Sequence, residues 1–124
     1  RYTYPLREIL DRGIPLLLSS DAPVCDPYPI SGIYSAVTRK RMDRTPIEGW
    51  YPDQRLTVEE AVKGYTVTPA QQSGFQDTLG RIAPGRYADM IVLDRDIYTI
   101  PPEEIKDARV DMTVFDGQIV YERE

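Results

Sequence analysis

The chain has 124 residues, room for one modest domain or for pieces of two. Hydrophobic residues make up 41% and charged residues 28%, which is ordinary globular composition and excludes wholesale disorder. The formal net charge of -5 argues against a nucleic-acid partner, which favours a basic surface.

In chain order, Pro5–Arg12 places Leu6, Ile9 and Leu10 at helical spacing, and Gly13 follows as a stop. Ile14–Leu18 is a continuous apolar run without alternation, the pattern of a strand buried on both faces. Helix, glycine and buried strand together read as one unit of an α/β fold with a parallel sheet. After the turn Asp21-Ala22-Pro23 a proline-studded loop leads to an expected helix over Gly32–Arg41, with Ile33, Ala36 and Val37 on one face. Met42–Arg55 reads as an ordered loop, because Trp50 and Tyr51 within it call for something to pack against.

Thr57-Val58-Glu59-Glu60 has the form of a capping box. The helix that it starts carries Val58, Ala61, Val62 and Tyr65 on its inner face. Thr68-Pro69 reads as a second start, an N-cap followed by proline at the first helical position, with Gly74 as the end. From Thr78 the texture changes to glycines, prolines and short apolar runs. Ala88–Leu93 reads as a strand, Pro101–Ile105 as a single helical turn, and Met112–Phe115 with Gln118–Tyr121 as a hairpin about Asp116-Gly117. The longest apolar run is far too short to span a bilayer, which takes roughly 20 residues, and no signal-peptide pattern opens the chain.

Asp21 is the leading candidate for chemistry. Parallel α/β folds put reacting groups at the C-terminal ends of buried strands, where an aspartate binds a metal or acts as a base; equally, an aspartate before proline caps a turn. Ser19 and Ser20 lack a histidine partner and a Gly-x-Ser-x-Gly elbow, so they read as groups satisfying the strand end. Cys25 has no local activating partner and reads as a small loop residue; as the single cysteine it rules out an intrachain disulfide and suits a reducing compartment. The chain contains no histidine, so a site made from it alone lacks the commonest general base and a leading metal ligand. Arg39, Lys40 and Arg41 either hold an anionic substrate group or complement a helix C-terminus. The acidic residues Glu103, Glu104 and Asp107 read as solvated surface.

Ile14–Pro23 (IPLLLSSDAP) resembles the last barrel strand of the amidohydrolase superfamily. Gly80–Leu93 (GRIAPGRYADMIVL) is similar to its closing signature, and Val110–Tyr121 to its terminal strand pair. Gly32–Lys40, Gly49–Thr66 and the Pro69–Gly74 segment resemble one branch, amidohydrolase family 3, the metal-dependent hydrolases related to N-substituted formamide deformylase. The resemblance implies the last part of a (β/α)8 barrel over residues 1–77, followed over 78–124 by C-terminal strands of a small β-sandwich. It further implies a hydrolase acting on C–N bonds of small molecules through a metal-activated water, the metal being a divalent ion such as zinc.

Asp21 would then contact the metal and help to activate the water, and the loop from Ala22 to Pro29, with Pro23, would border the substrate pocket. Arg39 is the remaining substrate-binding candidate. The histidine ligands of the family lie on earlier strands, so this chain by itself is expected to bind no metal tightly and to be inactive. It is expected to need the N-terminal part of the same protein as its partner, to expose strand edges and so to self-associate, and to be cytoplasmic. An ester or lactone substrate, or a non-catalytic binding or assembly module, remain the alternatives.

Overall fold

The computed structural model describes residues 3–124. Its helices are α1 (Leu6–Asp11), α2 (Pro29–Thr38), α3 (Val58–Tyr65) and α4 (Val67–Gln72), and its strands are β1 (Met90–Leu93), β2 (Val110–Phe115) and β3 (Gln118–Glu122). Short 3-10 helices occupy Pro52–Gln54 and Pro102–Asp107. None of the helices among the described residues is long and apolar enough to cross a membrane.

The core forms around α2. Ile30, Ile33, Tyr34, Ala36 and Val37 are all buried, so this helix turns apolar groups to several sides. Ala61 of α3 and Leu56 cover it on one side, and Ile105, Ala108 and Ile97 on another, all in one hydrophobic cluster. Residues from both sides of position 77 therefore share a core. Each fully buried isoleucine contributes about 2 kcal/mol relative to an exposed one, and Ile30 of α2 and Ile105 are two of them.

Local chemistry sets several boundaries. Pro29 starts α2, earlier than the expected Gly32, because its fixed φ suits the first helical position; Asp26 Oδ1 accepts the Tyr28 N–H at 2.9 Å just ahead of it. The helix stops at Thr38 rather than Arg41 because Arg39 takes a left-handed φ of 61°. In α3 both bonds of the capping box are present: Thr57 Oγ1 accepts from the Glu60 N–H at 3.2 Å, and Glu60 Oε2 accepts from the Thr57 N–H at 2.7 Å. The next helix does not start at Thr68-Pro69. It starts at Val67, because Thr66 breaks α3 and begins α4 at once with φ -126° and ψ -76°.

The strands form an antiparallel sheet in the order β1-β2-β3. Asp116 and Gly117 have φ of 48° and 75°, the pair of positive values that a type I′ hairpin needs. Register shifts lie between Val92 and Leu93 and between Thr113 and Val114. All of β3 is exposed, and β1 and β3 both present open edges.

One expectation is corrected. Ile14–Leu18 pairs with no strand among the described residues and is not buried on both faces. Leu16 and Leu18 are half-buried against the core, whereas Ile14 is 51% and Leu17 48% exposed. That two-residue alternation is the signature of extended chain with one covered face. Continuous apolarity shows only that both faces prefer burial; covering the second face takes neighbours that these residues do not provide.

Candidate active-site loop

The extended segment 14–20 is anchored by its backbone. The Leu18 N–H donates to the Gly64 carbonyl at 3.0 Å, which holds the segment against the C-terminal half of α3. Immediately beyond, Ser19 Oγ accepts the Asp21 N–H at 3.1 Å, and the Val24 N–H donates to the Asp21 carbonyl at 2.9 Å. Asp21 sits in the left-handed region with φ 51°, a conformation that aspartate tolerates better than most residues. Bonds made by its backbone therefore define its turn, and among the described residues no hydrogen bond occupies the side-chain carboxylate of this exposed residue. It is free to take a ligand.

Pro23 lies in the same exposed turn and follows a cis peptide bond from Ala22. Cys25 is a free, exposed thiol a little further along. Tyr65 packs close by: burial, and then the charge of Cys25, push its phenol above the ordinary value.

Arg39 lines one hollow together with Leu18, Ser19 and Tyr65, beside the segment that leads into Asp21. It is the C-cap residue of α2. There its Nε donates to the Trp50 carbonyl at 3.0 Å, and its guanidinium carbon lies 5.3 Å from the centre of the Trp50 ring. The Trp50 N–H in turn donates to the Arg39 carbonyl at 2.8 Å. Burial lowers the Arg39 pKa. The Trp50 ring meets that of Tyr51 edge-on at 4.8 Å, but both side chains stay exposed. The 42–55 loop is therefore held by hydrogen bonds, such as that from the Arg41 N–H to the Thr45 carbonyl, and by the Arg39 contact rather than by burial of its aromatics. The neighbouring Lys40 pairs with Glu103 at 2.7 Å, which removes Glu103 from the merely solvated surface.

A divalent-metal centre takes three or four protein ligands. Among the described residues no group of three or more histidine, cysteine, aspartate or glutamate side chains is placed to hold a metal ion. Asp21 is one suitable donor, and the donor set as a whole does not fit a metal on its own.

A family model described as the amidohydrolase family matches residues 1–121. The chain belongs to the amidohydrolase family. It is 38% identical over 121 residues to N-substituted formamide deformylase of Arthrobacter pascens, covering 97% of this chain and 22% of that protein. It is 35% identical over 117 residues to the putative amidohydrolase YtcJ of Bacillus subtilis, covering 94% of this chain and again 22% of the relative. The amidohydrolase chain thus spans about a fifth of the length of these relatives.

Among solved structures, an amidohydrolase from Thermotoga maritima superposes with a TM-score of 0.68 at 24% identity, over 97% of this chain and 26% of that one. E. coli guanine deaminase gives 0.68 at 18% identity, over 96% and 30%. The fold of the amidohydrolase chain is therefore shared with these enzymes.

Gly32, Gly64 and Tyr65 did not stand out in the sequence as close-packing positions, yet Gly64 lies against Leu18 and Gly32 against the Tyr65 ring. The available signal was Gly64 inside a helical pattern, a costly choice that calls for a packing reason.

Proposed function

We propose that these residues form the C-terminal part of a hydrolase that cleaves C–N bonds of small amide-class substrates, with Asp21 as its carboxylate at the reaction centre. The observation that carries this reading is the posture of Asp21. A carboxylate stands exposed at the end of a backbone-anchored extended segment, in a turn fixed through Ser19 and Val24 rather than through its own side chain. A group so placed can orient a water molecule and take its proton as the water attacks a carbonyl carbon. The relatives named as a formamide deformylase and a guanine deaminase act at carbon–nitrogen bonds, which supports the same class here.

On this reading residues 1–77 complete a (β/α)8 barrel and residues 78–124 a β-sandwich, with Leu17 and the open strand edges meeting chain outside this sequence. Pro23 borders the substrate pocket. Arg39, whose Nε is held by the Trp50 carbonyl, is the second substrate-binding candidate, since it lines one hollow with Ser19 next to the Asp21 turn. Any divalent metal of the centre takes its ligands chiefly from outside these residues, and the chain by itself turns nothing over.

The test is an assay of amine, ammonia and formate release from a panel of amides and formamides. It is run on the longer protein that carries these residues and on the 124 residues alone. Turnover by the longer protein only is expected. Turnover of esters or lactones but no amide would move the substrate class, and activity of neither protein would favour a non-catalytic assembly module.

A further inference from the structure

We infer that Tyr65 is a positioning residue for the loop that carries Asp21, because the Gly64-Tyr65 step of α3 grips the chain on both sides of that loop. The role of Asp21 itself rests on the proposal above; the grip does not.

The upstream grip is Leu18 on Gly64. A Cβ built on Gly64 would stand 2.9 Å from Leu18 Cγ and 3.4 Å from the Leu16 carbonyl oxygen. The Gly64 carbonyl also accepts the Leu18 N–H at 3.0 Å. The extended segment therefore lies directly on the α3 backbone, and only glycine leaves room for it there.

The downstream grip is Tyr65 on Gly32, in the first half of α2. A Cβ on Gly32 would overlap the Tyr65 hydroxyl and stand 2.8 Å from Cζ and 3.2 Å from Cε2. The tip of the ring fills the space that Gly32 leaves. Neither Gly32 nor Gly64 has a positive φ, so backbone conformation does not require glycine at either place. Both lie inside helices, where glycine is less favourable than alanine. Steric room is the remaining reason for both.

Between these two grips run the turn at Asp21, the exposed loop and the start of α2. Tyr65 also lines one hollow with Leu16, Leu17, Leu18 and Ser19, so the ring borders the segment that enters the loop as well as Gly32. A side chain one residue from the Leu18 anchor thus sets how far the beginning of α2 stands from the end of the extended segment. That distance sets where the Asp21 turn as a whole is carried, the turn itself being held by its bonds to Ser19 and Val24.

The test is a double-mutant cycle read by hydrogen exchange of the segment 14–28, with Gly32→Ala, Tyr65→Leu and the pair, in the protein that carries this chain. Gly32→Ala alone should speed exchange of the Leu18 amide and the loop by about tenfold or more, because the new methyl expels the ring. In the Tyr65→Leu background the same alanine should slow exchange, since it then fills a void and favours the helix. The same change in both backgrounds would overturn the inference. Where Gly32→Ala does not fold, Tyr65→Leu alone decides: unaltered loop exchange overturns the grip.

Turnover then separates positioning from bulk stability. Tyr65→Leu should lower kcat by about tenfold with KM little changed, and Tyr65→Phe should restore most of it by restoring the ring. Undiminished kcat in Tyr65→Leu despite a loosened loop would overturn the positioning role. Absence of amide turnover in the wild-type protein, with the exchange cycle as expected, would overturn the proposed reaction and leave the grip standing.

Discussion

Lys40 Nζ lies 2.7 Å from Glu103 Oε1, tying the C-terminal end of α2 to the 3-10 helix Pro102–Asp107. The buried Tyr34 adds a longer bond, its hydroxyl donating to Glu103 Oε2 at 3.4 Å. These contacts sit at the edge of the shared core, where Ile105 packs on α2. Lys40 bonding, then the Lys40 charge and Tyr34, hold the Glu103 carboxyl below its ordinary value.

Glu103→Gln is accordingly expected to cost about 1 kcal/mol at neutral pH, the upper end for a partly exposed pair. Urea denaturation of the two proteins measures it. A difference indistinguishable from zero would mean that the helix end is held by apolar packing alone.

Glu60 is bound from two directions. Arg7 donates to both of its carboxylate oxygens, at 2.9 Å on Oε1 and by a shorter contact on Oε2, while the capping box adds the Thr57 N–H. Hydrogen bonding from Arg7 is the main reason that its pKa falls from 4.5 to about 2. A carboxyl with a depressed folded-state pKa adds stability above its unfolded value, and loses it as pH falls through the folded value. Stability should thus decline between about pH 5 and pH 2. After allowance for solvent screening of a pair whose side chains are 27% and 29% exposed, the contribution at neutral pH is about 1–2 kcal/mol. Glu60→Gln should flatten that decline in acid denaturation; an unchanged pH dependence would remove the pair from the stability of α3.

Gly49 has φ +81°, and a Cβ there would stand 2.6 Å from the Thr38 carbonyl oxygen. Backbone on one side and a left-handed conformation on the other leave no cheap relaxation. Gly49→Ala should cost about 2 kcal/mol or more and disturb the Arg39–Trp50 stack. Thermal unfolding followed by Trp50 fluorescence checks both at once. Wild-type stability with altered fluorescence would show the 42–55 loop to be independent of the core.

The sheet edges make a prediction about the 124-residue chain in isolation. All of β3 is exposed, including Ile119, Val120 and Tyr121, and Phe115 is exposed beside it. Unpaired edges recruit other strands. Sedimentation should show self-association that Val120→Lys weakens; a monomer at high concentration would contradict it.

What the sequence disclosed was local in origin. Thr57 and Glu60 form their box from contacts within one turn, and Asp116-Gly117 selects its hairpin by backbone preference. Asp21 was legible as an exposed carboxylate after an apolar run for the same reason. Exposure of Ile14 and Leu17 was not legible, because burial depends on which elements cover a side chain, and apolarity alone does not supply those elements. Gly32 and Gly64 were passed over because their partners, Tyr65 and Leu18, come from other elements. Arg39 showed its charge in the sequence but not its partner, the Trp50 carbonyl and ring.

The most direct measurement is kcat/KM for amide hydrolysis by the longer protein that carries this chain, with and without Asp21→Asn. Asparagine keeps the size and the left-handed tolerance of position 21 while removing the proton acceptor. The account predicts a fall of about 10²- to 10⁴-fold with an unaltered unfolding midpoint. An unchanged kcat/KM would contradict it and take Asp21 out of the reaction.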